Sequence, residues 1–226
     1  MADIESLKRD LVTACRILHR EGLVRAFGHI SARIPGTDRL LIPPRMGPGL
    51  VRAEDVLTMD LSGKVLEGKR EPNSEAAIHW SIYRARPDAM SVAHTHSPMT
   101  VVIGDLGLEV QPLHNEGTVF GEGVPRLDAT GLIQTEEQGK ALVAALGRSN
   151  AALLRAHGDV VVGSGVREAC ILALYLEDAC RLMYQCLQVG KPVFLTPEES
   201  ARIRPKTFNE KTVARAWEYF SEIAVR

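Results

Sequence analysis

Three histidines and one glutamate have the residue types and the spacing of a metal site. His94 and His96 lie two residues apart at the end of a predicted strand. Because side chains alternate across a strand, both imidazoles point the same way and can bind one ion. His157 follows the apolar run 151–155 at a second predicted strand end, and Glu75 lies in the first turn of a predicted helix. Three neutral imidazoles with an open fourth position are typical of a catalytic zinc site.

Glu75 has three possible roles beside such an ion. The helix dipole and the free backbone N–H groups of a first turn favour its ionised form. A carboxylate there can be a fourth ligand, a proton shuttle, or each in turn. Each histidine motif alone is weak, since histidines at strand ends are often only polar residues at a loop junction. The combination of all four positions favours a metal site.

Alternating helices and strands must position these residues. Apolar residues recur every three or four positions from Ile4 to Leu18, which predicts an amphipathic helix that ends at Gly22. A strand is predicted over 28–34. Asn73 is the predicted N-cap of the helix that carries Glu75, and this helix is expected to end before Pro87.

The remaining predicted elements follow the same alternation. The capping box of Thr135 and Gln138 opens a helix that runs to Gly147. A nearly all-apolar stretch, 166–189, predicts a central buried helix closed by Gly190. The other predictions are a hairpin over 56–66, a strand over 90–95, a short helix from Pro98, strands over 151–155 and 160–162, and final helices from Thr196 and over 209–224. This alternation, with no repeat or composition break, predicts one α/β domain over 1–226.

Composition excludes several classes of protein. The 226 residues contain 27 Lys+Arg and 28 Asp+Glu, a balance that argues against a nucleic-acid binder. Apolar runs are too short to predict a membrane span, and the charged start at residues 1–5 is unlike a signal peptide. The four cysteines form no Cys-x-x-Cys pair. We therefore expect a cytoplasmic globular protein.

Four motifs give the chain a family resemblance. They are Phe-Gly-His-Ile-Ser-Ala-Arg at 27–33, Glu-Pro-Asn-Ser-Glu at 71–75, Ala-His-Thr-His-Ser at 93–97 and Leu-Arg-Ala-His-Gly at 154–158. In sequence and spacing they resemble the class II aldolase/adducin family over about residues 5–190, followed by a C-terminal helical segment at about 196–226.

The resemblance implies a fold, an assembly and a cofactor. The implied fold is a three-layer α/β/α domain with a mostly antiparallel central sheet, assembled as a homotetramer with its active sites between subunits. Each subunit would hold one divalent ion on His94, His96 and His157, with Glu75 as acid/base and sometimes a fourth ligand. Zn²⁺ is the favoured ion, and the donor set also admits Mn²⁺, Co²⁺ or Fe²⁺.

Departures from the sugar-phosphate aldolases of this family point to another substrate. Those enzymes usually carry Gly-Asn where this chain has Gly28-His29, a small-residue phosphate turn where it has Arg45, and Ser-Ser where it has Asn73-Ser74. Bulky side chains spoil a phosphate cradle built from backbone N–H groups. A guanidinium instead suits a carboxylate, and the Pro/Gly turn after Arg45 resembles the decarboxylase branch of the family.

We therefore expect a metal-dependent decarboxylase of a hydroxylated aromatic or heteroaromatic (di)carboxylic acid. Glu75 and His29 are its expected proton-transfer groups. The alternatives are an aldolase acting on a sugar phosphate or hydroxy-keto acid, and a non-catalytic adducin-like assembly module. The expected partner is a small carboxylated anion, with no nucleic acid or membrane.

The residues expected to contact this substrate are Arg45, Asn73, Ser74, Arg126, His114 and Tyr219. Arg126 stands where related aldolases often supply a tyrosine, and Tyr219 lies in the segment that similar enzymes lend to a neighbouring active site. His79, four residues after Glu75 and on the same helix face, is expected to be a packing or interface residue.

Overall fold

A computed structural model describes residues 3–225 of the chain. Met1, Ala2 and Arg226, which belong to the predicted domain and the predicted N-terminal segment, lie outside the described residues. The α-helices are α1 (Ile4–Arg20), α2 (Ala76–Ala85), α3 (Pro98–Leu106), α4 (Glu136–Leu146), α5 (Val166–Val189), α6 (Pro197–Thr207) and α7 (Glu210–Ala224). The strands are β1 (His29–Arg33), β2 (Arg39–Ile42), β3 (Leu57–Asp60), β4 (Val65–Glu67), β5 (Ser91–Thr95), β6 (Arg126–Leu127), β7 (Ala151–Leu154) and β8 (Gly158–Gly163).

All eight strands belong to one sheet in the order β4-β3-β2-β1-β5-β8-β7-β6. Every neighbouring pair is antiparallel except β6 and β7, so the predicted mostly antiparallel sheet is confirmed. The register at the centre of the sheet decides the site. His29 on β1 lies opposite His94 on β5, and Thr95 lies opposite Asp159 on β8.

Two hydrophobic clusters cover the two faces of the sheet. Alternating side chains divide the strands between them: Val161 packs into one cluster, and its neighbours Val160 and Val162 pack into the other. The first cluster contains residues of α1, α3, α5 and α7, and the second contains residues of α2 and α4. This arrangement is the expected α/β/α layering.

The helix boundaries predicted from sequence signals agree well with the structure. The predicted capping box at Thr135 is formed, α6 begins directly after Thr196 as predicted, and α5 spans the predicted residues up to Gly190. The prediction of Asn73 as an N-cap is wrong, because α2 begins two residues later with Glu75 as its N-cap. The Asn73 side chain instead donates to the carbonyl groups of Pro43 and Pro44.

Two strands, β2 and β6, were not predicted from the sequence. β6 has only two residues, Arg126 and Leu127, and offers no alternating pattern to detect. β2 has four residues in a loop-like context, and its burial depends on pairing with β1 and β3. Within residues 3–225, none of the helices combines the length and apolar character that a bilayer crossing requires.

Candidate metal centre

The four residues singled out by spacing converge at one end of the central strands. One ligand atom each from Glu75, His94, His96 and His157 lies within 4.8 Å of all the others. The Nε2 atoms of His94 and His96 are 3.1 Å apart. The Oε2 atom of Glu75 lies 3.5 Å from Nε2 of His157 and 3.7 Å from Nε2 of His94. The site therefore gathers three imidazole nitrogens around one carboxylate.

A backbone carbonyl selects the tautomer of His94. Its Nδ1–H donates to the carbonyl oxygen of Asp159 at 2.9 Å. In a neutral imidazole the other nitrogen then carries the lone pair, so Nε2 of His94 faces the cluster as a ligand atom. Such a second hydrogen bond is the usual way in which a protein orients a metal-binding histidine.

The donor set fits a divalent cation. Nε2 of His157 is buried and has no hydrogen-bond partner among residues 3–225. Burial and the neighbouring imidazoles lower the pKa of His96 to about 4, so this residue is neutral at pH 7, the form that binds a metal. A cation shared by these nitrogens and the Glu75 carboxylate would satisfy the orphaned atom.

The ends of β5 and β8 hold the His94–His96 pair rigidly. Thr95 points to the opposite face from its two neighbours, where its hydroxyl donates to Oδ2 of Asp159 at 2.6 Å. Thr100 donates to the same oxygen at 2.8 Å. This buried network ties both strands to the start of α3, immediately below the two imidazoles.

A tight turn between β7 and β8 presents His157. Ala156 has a φ of 57°, a left-handed conformation that is uncommon for alanine. Its backbone N–H donates to Oδ1 of Asp105 at 2.7 Å, which stabilises the turn. His157 is followed by Gly158, where a Cβ atom would lie 2.0 Å from the carbonyl oxygen of Thr95. A glycine after His157 therefore allows the turn to pack directly against the end of β5.

Glu75 is fixed from both sides of its carboxylate. Its Oε1 accepts a hydrogen bond from the Ile133 backbone N–H at 2.9 Å, while Oε2 faces the histidines. Burial alone would raise the pKa of Glu75, but hydrogen bonds to its carboxylate, including that from the Ile133 amide, outweigh burial and hold this pKa well below its usual range. The residue is thus a carboxylate at neutral pH, able to act as a ligand or a base.

His29 lies beside the four-residue cluster but is not one of its members. Its ring centroid is 5.1 Å from that of His94. Burial, reinforced by His79 and His94, lowers the pKa of His29 well below its usual range. Its Nδ1 atom is 2.6 Å from Nε2 of His79, a completely buried side chain. His79 is therefore more than a packing residue, because it is hydrogen-bonded to a side chain next to the metal centre.

Three predicted substrate residues lie on neighbouring loops. Arg45 is exposed, and its backbone N–H donates to the Glu71 carbonyl. Asn73 uses its amide to hold the backbone at residues 43–44, so its structural role is to position the loop that carries Arg45. Ser74 is exposed directly before Glu75.

The structure does not bring the other three predicted substrate residues into the cluster. Arg126 donates to the Gly104 carbonyl and pairs with Asp128 at 2.7 Å. His114 packs over Gly117, with its Nδ1 atom buried. Tyr219 lies on α7, 61% exposed. A contact of these residues with substrate stays a prediction.

Sequence reasoning missed an exposed aromatic residue at the site. Phe27 is 73% exposed, and its ring stacks on that of His96 with centroids 6.4 Å apart and planes at 22°. Together with Arg25 and Pro98 these rings line a cavity of about 300 Å³. The position of Phe27 immediately before the Gly28-His29 motif was the available signal.

Replacement of one ligand tests the metal centre. We expect His96→Ala to lose stoichiometric metal while remaining folded, because the His96 side chain is only half-buried. Metal content after dialysis, measured by plasma mass spectrometry, is the readout. His19→Ala, at the end of α1, is the matched control and should retain the metal. Equal metal content in both variants would contradict the assignment.

Comparison with known proteins agrees with the geometry. The model of the class II aldolase and adducin N-terminal domain matches residues 9–184. A 5-methylthioribulose-1-phosphate/5-deoxyribulose-1-phosphate aldolase of Rhodospirillum rubrum is 30% identical over 202 residues, covering 89% of this chain and 90% of that protein. A 3,4-dihydroxyphthalate decarboxylase of a Terrabacter species is 34% identical over 223 residues, covering 90% of this chain and 92% of that protein.

A solved structure shows the same fold. L-fuculose 1-phosphate aldolase from Glaciozyma antarctica superposes with a TM-score of 0.87 at 22% identity, covering 99% of this chain and 92% of that one. The family match extends over all four residues of the metal centre. This chain accordingly belongs to the class II aldolase and adducin family.

Proposed function

We propose that this protein is a divalent-metal-dependent lyase that decarboxylates a hydroxylated aromatic or heteroaromatic (di)carboxylic acid. The observation that carries this proposal is the cavity beside His96. Its wall includes an exposed phenylalanine ring stacked on a ligand imidazole, and Arg25 lies at its edge. An exposed aromatic face favours stacking with a planar ring, and a guanidinium favours a carboxylate.

Two arginines are available for an anionic substrate. Arg25 lines the cavity, and Arg45 lies on the adjacent loop, where Gly47 packs against the backbone of residues 25 and 26. Both side chains are exposed. They supply a local positive charge to a protein whose overall balance is nearly neutral, which suits a small substrate with one or two carboxylates.

The chemistry assigns separate roles to the metal and to Glu75. A bound divalent ion supplies a Lewis acid that withdraws electrons from the substrate. Glu75, ionised and fixed by Ile133, takes the proton of the substrate hydroxyl and returns it to the ring carbon that has lost CO₂. The hydroxyl regains a proton from solvent when the product leaves.

A sugar-phosphate aldolase is the second candidate, supported by the similarity to the Rhodospirillum rubrum enzyme. The same carboxylate could remove a hydroxyl proton in a retro-aldol cleavage.

In either reaction we propose a homotetramer with the active site between subunits. The exposure of the apolar Phe27 and Leu50, 73% and 72%, supports a neighbouring subunit close to this site.

A substrate panel separates the two reactions. We expect the zinc- or manganese-loaded protein to release CO₂ from ortho-hydroxy aromatic dicarboxylates. An enzyme-coupled assay measures the CO₂, and chromatography identifies the product. Ketose phosphates should be left uncleaved. Retro-aldol cleavage without CO₂ release from any aromatic acid would contradict the proposal and favour the aldolase.

Removal of the aromatic wall tests the substrate class. We expect Phe27→Leu to lower kcat/KM for an aromatic acid about two- to twelvefold, since an aromatic pair contributes about 0.5–1.5 kcal/mol beyond burial. Metal content should stay unchanged. Val189→Ala, an exposed apolar residue at the end of α5 and outside the cavity lining, is the control. An unchanged kcat/KM in Phe27→Leu would contradict aromatic stacking at this wall.

A further inference from the structure

Helix α2 and strand β1 present matching polar faces to one another. His79 and Tyr83, four residues apart on α2, lie over residues two apart on β1, namely His29, Ser31 and Arg33. Four residues of helix advance about 6 Å, and two residues of strand advance about 7 Å. The two spacings therefore match, so that His79 contacts both His29 and Ser31, and Tyr83 contacts both Ser31 and Arg33.

A continuous hydrogen-bond chain results, leading away from the metal centre. The Oη atom of Tyr83 is 2.7 Å from Oγ of Ser31. The same Oγ is 2.6 Å from Nδ1 of His79, and Nε2 of His79 is 2.6 Å from Nδ1 of His29. All four side chains are buried, with exposed fractions of 4% or less.

The Tyr83 hydroxyl determines which atom donates in each of these hydrogen bonds. The tyrosine hydroxyl has one proton to donate, and Ser31 Oγ is its hydrogen-bond partner among residues 3–225. If Ser31 donated to Tyr83 instead, the phenolic proton would be buried without an acceptor, which is costly. Tyr83 is also held in place by Arg33, whose guanidinium lies 4.9 Å from the ring centroid and donates to the Tyr83 carbonyl. Tyr83 is thus the terminal donor.

Each following link then has a single arrangement. Ser31 accepts from Tyr83, and its own proton goes to Nδ1 of His79. A neutral His79 with an acceptor at Nδ1 carries its proton on Nε2, which donates to Nδ1 of His29. A neutral His29 with an acceptor at Nδ1 must carry its own proton on Nε2.

We propose that Tyr83, Ser31 and His79 are positioning residues that fix His29 as the Nε2–H tautomer, a hydrogen-bond donor beside the metal centre and not a metal ligand or a base. Nε2 of His29 has no partner among residues 3–225, while the His29 ring lies next to that of His94. A metal ligand would need a lone pair at this atom. The tautomer of His29 follows from the hydrogen bonds between Tyr83, Ser31, His79 and His29. The identity of the oxygen that accepts a hydrogen bond from His29 rests on the proposed function.

In this arrangement Glu75 and His29 have different roles at the site. Glu75 offers an anionic oxygen on one side, and His29 offers an N–H on the other. A neutral imidazole donor can stabilise negative charge that develops on a substrate oxygen such as a carboxylate or a phenolate. Proton transfer is then carried out by Glu75 alone. Of the two proton-transfer groups expected from the sequence, Glu75 and His29, only Glu75 keeps that role.

The test reads the tautomer directly and does not depend on activity. Long-range ¹H–¹⁵N correlation spectra of the zinc-loaded protein, labelled with ¹⁵N-histidine, distinguish protonated from unprotonated ring nitrogens. The signals of His29 and His79 are assigned by their loss in His29→Asn and His79→Gln. We expect both residues to show a protonated Nε2 and an unprotonated Nδ1. A protonated Nδ1 on either residue, or zinc bound to His29, would overturn the proposal.

A second variant tests whether the chain sets the tautomer. Ser31→Ala removes the proton donor of His79, so a second tautomer should become populated at both histidines while zinc content is retained. Ser81→Ala, on α2, removes a buried hydroxyl with no partner among the described residues and should leave the spectra unchanged. Ser31→Ala spectra identical to those of the parent protein would also overturn the proposal. None of these readouts requires the substrate to be known.

Discussion

The electrostatic demand of four electron-rich ligand atoms in one small, largely buried volume governs the rest of this structure. Three imidazoles and a carboxylate within 4.8 Å of one another leave a buried nitrogen of His157 without a partner. Unpaired buried polar atoms are costly, and a divalent cation is the group that best satisfies this set. The surrounding elements keep the four side chains converged: the Thr95–Asp159 network, the left-handed turn at Ala156 and the Ile133 amide that holds Glu75.

The convergence of Glu75, His94, His96 and His157 was predictable from the sequence because the signals are local. A histidine pair two residues apart at a strand end and a histidine followed by glycine can both be recognised without knowledge of the fold. The main helices were predictable for the same reason, through periodicity and caps. The N-cap of α2 was misplaced because the Asn73 side chain binds the distant backbone at Pro43 and Pro44, a competition that local propensity does not contain.

What the sequence did not reveal depends on the register between distant elements. His79 and Tyr83 lie about fifty residues after His29 and Ser31, and nothing local indicates that a four-residue helix repeat will meet a two-residue strand repeat. The matching patterns in the sequence are His29-x-Ser31-x-Arg33 and His79-x₃-Tyr83. The same limit applies to Phe27, whose role is visible only once its ring is seen against His96. The substrate contact predicted for Arg126 stays a prediction; its side chain donates to the Gly104 carbonyl and pairs with Asp128.

The most direct test of the account is an anomalous-diffraction map of crystals of the zinc-loaded protein, collected on either side of the zinc absorption edge. We expect one ion in each subunit, bound by Nε2 of His94, His96 and His157 with the Glu75 carboxylate adjacent, and with His29 uncoordinated. Protein that contains stoichiometric zinc but shows no ion among these side chains, or shows the ion bound to His29, would contradict this assignment.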